Sequence, residues 1–595
     1  MKQIYVLFLL LPMPLLANLL HPHTTPHVFT ITQDVGIGNS VFVTGNVPEL
    51  GNNMDLNNLT NNSALFRAHR LRWTTGNVWT ATVALPRGKT IQYRLVSRPD
   101  SVTGFCNHTT TALTPVLTLN TPPPPPAPYK GKTVFYLTGW NQAHILYRKP
   151  DGTFTSQPMI EDGPGRTPSE KRFRISGIGQ AGDTFEFVFH NGQGQWDNAP
   201  VPHPGWTAGG YNYMTSLDVL WVQDGQVFNY EPPASLSAPT VVTIASLPST
   251  IQDIPSRRVR IYLPRGYTQN TWKKYPVLYM HDGQNVFQGE GAFGNPNNSW
   301  FCDTTATREI GQGRMRELII VAVDNGNPYG SDRLYEYRPP GEPTNVPPFT
   351  QNKADKYAQY LIQNVKAYVD ANYRTLSDAG NTFTMGSSMG GLVSMYLGWA
   401  HSQVFGNVGA VSPAYWPAQN FLNTMSVDPK RPIRIYTDMG TAESSANIVG
   451  PTNWWNSFWA ACNHHLADNY IYNDDLFIVP VCGGLHNEQA WAARLDAIYR
   501  YLLPITREPN LLAAKVYPPE IQSIEVQANQ ASIVFSTLYG RSYKVQRTPN
   551  LSVPSWTTIH SFGEGLHWNV QQFVDFSISP ATERMFYRVA MDPWP

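Results

Sequence analysis

A glycine–serine turn in the second half of the chain carries residue types suited to nucleophilic catalysis. Thr382–Met385 favours a strand, and Gly386–Gly390 reads Gly-Ser-Ser-Met-Gly before a helical pattern of apolar residues begins. The two outer glycines permit the strained turn that lifts the Ser388 hydroxyl clear of a sheet. The backbone N–H of Met389 would then face the position of an oxyanion. A glycine-rich turn without chemistry is the alternative, and the flanking strand and helix disfavour it.

A serine hydroxyl becomes a strong nucleophile only when a base removes its proton and a third group orients that base. His486 follows an apolar run at Leu476–Val481 and directly precedes a helical pattern, which makes it the candidate base. Glu443 lies beyond another predicted strand, 443 − 388 = 55 residues after the serine. It is the favoured acid because, from its place in the loop after that strand, its side chain can reach the histidine. Asp438 lies nearer the end of that strand and is the second candidate.

Residues 241–508 alternate between predicted strands and helices. The predicted strands are Arg258–Leu263, Tyr275–Met280, Leu318–Val323, Thr382–Met385, Ile433–Tyr436 and Leu476–Val481. Apolar residues at helical spacing predict a helix over Asp355–Tyr373. This alternation predicts a doubly wound, mainly parallel sheet, whose site lies at the carboxyl ends of the strands.

Several phrases in this segment resemble one family of enzymes. They are Tyr279–Phe287, Val323–Gly326 with Arg333 and Glu336-Tyr337, Gly386–Gly391, Asp438–Glu443 and Gly483–Trp491. Together they resemble the esterase D group of α/β-hydrolases, which includes feruloyl and acetyl-xylan esterases of carbohydrate-esterase family 1. The resemblance implies a triad of Ser388, Glu443 and His486. It also implies a second oxyanion amide at Gln284, in the loop His281–Gln284, and leaves the acyl group open.

Residues 25–120 show alternating apolar and polar residues in short runs separated by turns, which predicts a β-sandwich. The phrases Val41–Gly51, Trp79–Gly88 and Tyr93–Val96 resemble the family-20 starch-binding modules. The resemblance implies a sugar site that includes Arg94, in place of the family's lysine, and Phe105, near its second tryptophan. Asn52 and Asn53 stand where the family has its first tryptophan, so a weakened site is expected, and Trp79 is interpreted as a core residue.

A proline-rich linker at residues 121–128 leads to a second strand-rich segment at residues 129–232. Its phrases Ile145–Arg148, Phe189–Asn198 and Tyr211–Tyr213 resemble the starch-binding modules of families 25 and 53. The resemblance implies Trp196 and Trp140 as sugar platforms, with Asn198 as a polar partner. A further ring position falls on Phe154, and Leu146 stands in for the family's histidine. The alternative is that these tryptophans close a core.

The ends of the chain predict export and an accessory domain. Residues 1–17 combine Lys2, an apolar run and Ala17, as a cleaved secretory signal does. Residues 517–595 again favour short strands and resemble small C-terminal β-sandwiches of secreted bacterial proteins. Four cysteines allow few disulfides, of which Cys462–Cys482 is one candidate.

The formal net charge of +1 and the lack of a basic run argue against a nucleic-acid surface and favour neutral partners. These patterns together predict a secreted serine esterase with no metal or organic cofactor, docked on an α-glucan such as starch or glycogen. One alternative is a glucan-binding protein with an inactive hydrolase domain. Another is a glycosidase or glucan acyltransferase, although no paired-carboxylate motif on a barrel pattern supports a glycosidase.

Overall fold

The computed structural model describes most of the chain between residues 24 and 591. The described ranges are 24–51, 68–100, 110–122, 131–165, 167, 169–200, 211–233, 235–271, 273–289, 295, 297–326, 332–345, 350–443, 451–505, 521–527, 530–537, 543–550, 555–562, 569–576 and 585–591. The predicted signal at 1–17, residues 123–128 of the predicted linker, and Phe105 lie outside them.

The first module, residues 24–122, consists of two sheets. Its strands are β1 (Thr24–Thr32), β2 (Asn39–Gly45), β3 (His69–Arg70), β4 (Arg72–Thr74), β5 (Val78–Pro86), β6 (Thr90–Pro99), β7 (Thr111–Ala112) and β8 (Leu117–Asn120). One sheet has the order β1-β5-β4, and the other has β3-β2-β6-β7 with β8 also on β6. Alternate residues of β5, among them Trp79 and Val83, are buried in the core between them, as the alternating sequence predicts.

The second module, residues 131–233, also has two sheets around its own core. Its strands are β9 (Lys132–Thr138), β10 (His144–Arg148), β11 (Phe154–Pro158), β12 (Ile160–Pro164), β13 (Lys171–Ile178), β14 (Phe185–His190), β15 (Trp196–Asp197), β16 (Tyr213–Thr215), β17 (Val219–Gln223) and β18 (Gln226–Phe228). The sheet orders are β11-β10-β14-β15, with β16 on β14, and β12-β13-β9-β17-β18.

The hydrolase domain is built on an eight-stranded sheet of order β19-β20-β22-β21-β23-β24-β25-β26. The strands are β19 (Thr240–Leu247), β20 (Arg257–Leu263), β21 (Val277–Met280), β22 (Ile319–Val323), β23 (Thr382–Ser388), β24 (Asn407–Pro413), β25 (Arg434–Gly440) and β26 (Leu476–Val481). The first two strands pair antiparallel at one edge, and β22 to β26 pair parallel, so the sheet is mainly parallel as predicted. The strands β19 and β24 were missed by the sequence interpretation.

The helices of this domain connect the strands. They are α1 (Cys302–Gly311), α2 (Asp332–Glu336), α3 (Ala354–Tyr360), α4 (Ala367–Asn372), α5 (Met389–Ala400), α6 (Gln419–Val427), α7 (Pro451–Ala467), α8 (Glu488–Ala492) and α9 (Leu495–Leu502). A π-helical turn at Leu361–Lys366 joins α3 to α4, so the predicted helix over Asp355–Tyr373 is continuous but not α-helical throughout. Among the described residues, no helix is both long and apolar enough to cross a bilayer.

The C-terminal region forms two three-stranded sheets that share a small core. Its strands are β27 (Ile521–Gln527), β28 (Gln530–Thr537), β29 (Tyr543–Thr548), β30 (Thr557–Phe562), β31 (Asn569–Asp575) and β32 (Phe586–Met591). The orders are β27-β28-β31 and β30-β29-β32.

The candidate disulfide Cys462–Cys482 is wrong. Cys482 is disulfide-bonded, whereas Cys462 is a free thiol. The physical reason is the position of Cys462 within α7, where its side chain is fully buried in the hydrophobic core.

Candidate active site

Ser388 lies at the junction of β23 and α5, in a strained backbone conformation. Its φ is 58° and its ψ is −123°, a region that residues with a side chain rarely adopt. A Cβ on Gly386 would lie 2.9 Å from the backbone carbon of Gly390, so the turn closes only because this position is glycine. Met389 is the first residue of α5, where a backbone N–H has no partner within the helix. The sequence motif is therefore a nucleophile elbow in three dimensions.

His486 and Glu443 come together at the carboxyl ends of β26 and β25. The distance between His486 Nδ1 and Glu443 Oε2 is 3.0 Å, and the carboxylate is 5% exposed. Glu443 Oε1 also accepts hydrogen bonds from the backbone N–H of Gly440, at 2.7 Å, and from the Ser412 hydroxyl, at 2.5 Å. These donors hold the carboxylate so that its other oxygen faces the imidazole. The arrangement fits the orienting acid of a catalytic triad.

Asp438, the second candidate acid, has a different set of partners. Its carboxylate binds Arg494 Nε and Nη2 at 2.8 and 2.9 Å, and the Tyr436 hydroxyl donates to it at 2.8 Å. Asp438 and Arg494 are both buried, and the Asp438 charge raises the pKa of the Arg494 guanidinium against the effect of burial. This pair therefore acts as a structural ion pair beneath the site.

The sequence interpretation missed three residues that support Glu443. Ser412, in β24, donates to Glu443 and accepts hydrogen bonds from Trp491 Nε1 at 3.0 Å and from Arg494 Nη2 at 2.8 Å. The positive φ of Ser412, 42°, marks it as a second strained residue at the same edge of the sheet. The positions of Trp491 and Arg494 soon after His486 were the available signal, since Trp491 lies in α8 and Arg494 directly precedes α9.

The loop that carries Gln284 is held by a buried ion pair. Asp282 has a left-handed backbone, with a φ of 54°, and precedes a 3₁₀ turn at Gly283–Asn285. Arg333 Nε and Nη2 each donate to the Asp282 carboxylate at 2.7 Å, and Asn325 Nδ2 donates to it at 2.7 Å. The Arg333 charge lowers the pKa of Asp282, although burial opposes this effect. The loop that would supply the second oxyanion amide is thus rigidly attached to α2.

Two titratable groups flank this loop. His281 is buried, with its ring nitrogens 2.9 Å from the hydroxyls of Tyr357 and Thr384, and burial lowers its pKa to about 3. It is therefore neutral and packs the loop. Glu488 accepts a 3.1 Å hydrogen bond from Asn285 Nδ2, and burial raises its pKa. Glu488 thus joins α8, the helix after His486, to the loop that carries Gln284.

Tryptophan side chains surround His486. The ring of Trp454, in α7, lies 4.7 Å from the imidazole, and Trp491 contacts it edge-on at 5.0 Å. Trp416 lies nearly parallel to Trp454, with ring centroids 6.4 Å apart. Leu485, beside the histidine, is 51% exposed. The imidazole of His486 thus lies against two indole rings.

The first module keeps part of the predicted sugar-binding set at its surface. Arg94 is half-buried in β6, opposite Thr44 in β2, while Phe105 lies outside the described residues. Trp79 is buried, as interpreted from the sequence. Trp73, in β4, was missed: its ring is 52% exposed and offers a flat apolar surface.

The second module presents a row of rings. Register places His144 opposite His190 and His190 opposite Trp196, so these side chains share one face of the sheet. The His144–His190 centroids are 4.9 Å apart, the His190–Trp196 centroids are 4.8 Å apart, and Trp196 is 50% exposed. Asn198 is exposed nearby in the chain. Trp140 is half-buried and packs edge-on against Tyr136, so it is less accessible than Trp196.

Three residues on β10 and β11, namely His144, Leu146 and Phe154, bear on the sugar site expected of this module. His144, which the sequence interpretation did not name, lies in the row with Trp196, and Leu146 lies two residues further along β10, opposite Val188. Both residues are on the same face of β10, because side chains two residues apart in a strand point to the same side. Phe154 is 40% exposed, with the Arg148 guanidinium 5.4 Å from its ring centroid.

Two regions of the chain match family models. Residues 255–502 match the model described as "Putative esterase", and residues 24–107 match the model described as "Starch binding domain". These matches bear out the resemblances drawn above for the hydrolase domain and the first module.

Two curated relatives and two solved structures are similar to parts of this chain. The chain is 24% identical over 197 residues to the uncharacterized protein YbbA of Bacillus subtilis, covering 32% of this chain and 69% of that one. It is 25% identical over 195 residues to an endo-1,4-beta-xylanase/feruloyl esterase of Xylanibacter ruminicola, covering 32% of this chain and 23% of that one. A CE1 ferulic acid esterase from Anaeromyces mucronatus is 24% identical, with a TM-score of 0.33, over 46% of this chain and 93% of that one. An IroE-like serine hydrolase from Shewanella oneidensis is 18% identical, with a TM-score of 0.35, over 44% of this chain and 79% of that one.

Proposed function

We propose that this serine esterase, which carries a starch-binding domain, hydrolyses a carboxylic ester borne by or associated with an α-glucan of the starch or glycogen type. The observation that carries the proposal is the 3.0 Å contact between His486 Nδ1 and the buried Glu443 carboxylate, in a domain whose Ser388 stands on a strained elbow. The starch-binding match at residues 24–107 supports the carbohydrate target.

In the proposed reaction, the Ser388 hydroxyl attacks the ester carbonyl carbon while His486 Nε2 accepts the hydroxyl proton. Glu443 accepts the hydrogen bond from Nδ1–H and stabilises the imidazolium that forms. Backbone N–H groups of Met389 and Gln284 donate to the oxyanion. His486 then gives its proton to the departing alcohol. Water next attacks the acyl group on Ser388, and His486 accepts a proton from this water and returns it to Ser388 as the acid leaves.

The two N-terminal modules act in this scheme as docking surfaces. Trp73 in the first module and Trp196 in the second expose rings that can stack on sugar faces, with Asn198 as a polar partner. Attachment to an insoluble glucan raises the local concentration of ester without changing the chemistry. We also propose export from the cytoplasm, because residues 1–17 have the composition of a cleaved signal.

The direct test is hydrolysis of a short p-nitrophenyl ester by the full chain and by Ser388→Ala, with a pull-down on insoluble starch using the same samples. We expect Ser388→Ala to lose hydrolysis and to be pulled down by starch as the wild-type chain is. A wild-type chain that neither hydrolyses the ester nor reacts with a serine-directed phosphonate would refute the enzymatic part and leave a glucan-binding protein. New reducing ends released from amylose would favour a glycosidase instead.

A further inference from the structure

Helix α7 separates the first module from the active site, and one side of it is attached to the module. Trp455, Trp459 and Asn463 recur every four residues and therefore share one helix face. Trp455 Nε1 donates to the backbone oxygen of Asp100 at 2.6 Å. The Arg70 guanidinium lies 4.4 Å from the Trp459 ring centroid and donates to Asn463 at 3.1 Å. Both tryptophans are buried by these contacts.

The chain that leaves α7 is attached to the same module by backbone pairing. Tyr472 N–H donates to Thr82 at 3.0 Å, and Ala84 N–H donates to Tyr472 at 2.9 Å, so Tyr472 extends the edge of the module's sheet next to β5. The Tyr472 ring also stacks on the buried His69, at 4.2 Å. The segment from Trp455 to Tyr472 is therefore anchored to the module by both of its ends.

The residue before this anchored face lies in the active site. Trp454 contacts the His486 imidazole, at 4.7 Å between centroids, and Trp455 is the next residue along α7. A rigid helix moves both rings together, so a shift of the Trp455 face against the module displaces Trp454 from the imidazole. The module and the hydrolase also share one continuous hydrophobic core, which resists such a shift.

We infer that the first module is part of the catalytic domain's architecture: through α7 it sets the position of Trp454, which in turn positions His486 for proton transfer. This inference rests on the proposed function, because it concerns the same triad. Trp454 is a positioning residue, and the module contributes to turnover of a soluble ester that never contacts its sugar-binding surface. The starch-binding domain therefore has two roles, in docking and in shaping the site.

A double-mutant cycle on the full chain tests this inference. Arg70→Met removes the guanidinium contacts to Trp459 and Asn463, together with those to Ser40 and Asp100 within the module. Trp454→Leu removes the ring beside His486. Arg87→Met is the matched control, because Arg87 donates within the module, to the Thr24 backbone oxygen. The readouts are kcat and KM for a soluble p-nitrophenyl ester, with thermal unfolding to verify that each variant is folded.

We expect Arg70→Met and Trp454→Leu each to lower kcat by roughly ten- to a hundred-fold with little change in KM, as a misplaced catalytic group does. The decreases should not multiply in the double variant, because both act through one contact. The control should keep the wild-type kcat. If Arg70→Met does not fold, Trp455→Phe replaces it in the cycle, since it loses the N–H donated to Asp100 together with part of the buried ring.

Two results would overturn the inference. A folded Arg70→Met or Trp455→Phe variant with the kcat of the control would show that the contact between module and helix does not reach the site. Decreases that multiply in the double variant would show that the two residues act independently. A wild-type chain without esterase activity would instead refute the proposed function, so the two failures are distinguishable.

Discussion

The two carboxylates at the end of β25, Asp438 within the strand and Glu443 after it, should respond to substitution in opposite ways. Asp438 is fully buried and makes two contacts with Arg494, at 2.8 and 2.9 Å. Asp438→Asn removes its charge and leaves Arg494 buried without its main counter-ion, which costs about 3–5 kcal/mol of unfolding free energy. Glu443→Gln removes the charge that faces His486, and a loss of this kind lowers kcat by roughly 10²–10⁴-fold.

The assay combines urea unfolding, followed by tryptophan fluorescence, with kcat for a soluble ester measured well below the unfolding midpoint. Asp438→Asn should lower the midpoint and keep most of kcat, because the contact between His486 and Glu443 remains in the folded state. Glu443→Gln should lower kcat with a smaller change in midpoint. Asp496→Asn is the control, since its partner Arg500 is partly exposed and such a helical pair contributes only about 0.3–0.5 kcal/mol.

One combination of results would refute this reasoning. If Asp438→Asn abolished turnover at unchanged stability while Glu443→Gln stayed active, Asp438 would be the triad acid. The contact between His486 and Glu443 would then be a feature of the resting structure only.

Three other outcomes are expected. Trp196→Ala should weaken maltooligosaccharide binding by about 0.5–1.5 kcal/mol in titration calorimetry and leave kcat for a soluble ester unchanged; equal affinity would exclude this ring as a platform. Arg333→Lys keeps the charge but loses the planar fork that binds Asp282, so kcat should fall, by less than the roughly 10²-fold cost of losing an oxyanion donor. An unchanged kcat would show that the loop with Gln284 keeps its conformation without the paired hydrogen bonds from Arg333 to Asp282. Stability should fall as pH drops below 6.5, because burial lowers the pKa of His281 and His465 to about 3 and that of His69 to about 4. The unfolded chain takes up these protons first, so each histidine costs up to about 1.4 kcal/mol per pH unit until its folded pKa is reached. Urea midpoints on either side of pH 6.5 test this, and a midpoint that rose on acidification would contradict it.

The local sequence was sufficient to predict the features that depend on the conformation or burial of one short segment. The elbow around Ser388 could be predicted because the turn requires glycine at Gly386, which a short motif records. The parallel sheet could be predicted because strands buried on both faces, such as β22, are continuous apolar runs. The edge strand β19 was missed because most of its residues are exposed and lack such a run.

Tertiary structure decided which contacts between distant side chains form beyond those that a motif records. Loop reach and resemblance favoured Glu443 over Asp438, but only the structure shows that Glu443 contacts His486 at 3.0 Å while Asp438 accepts two hydrogen bonds from Arg494. Likewise, strand register brings His144 beside His190 in the second module. Such contacts depend on the register of whole strands and on the placement of whole helices. Many core residues determine both together, so no local sequence pattern encodes them.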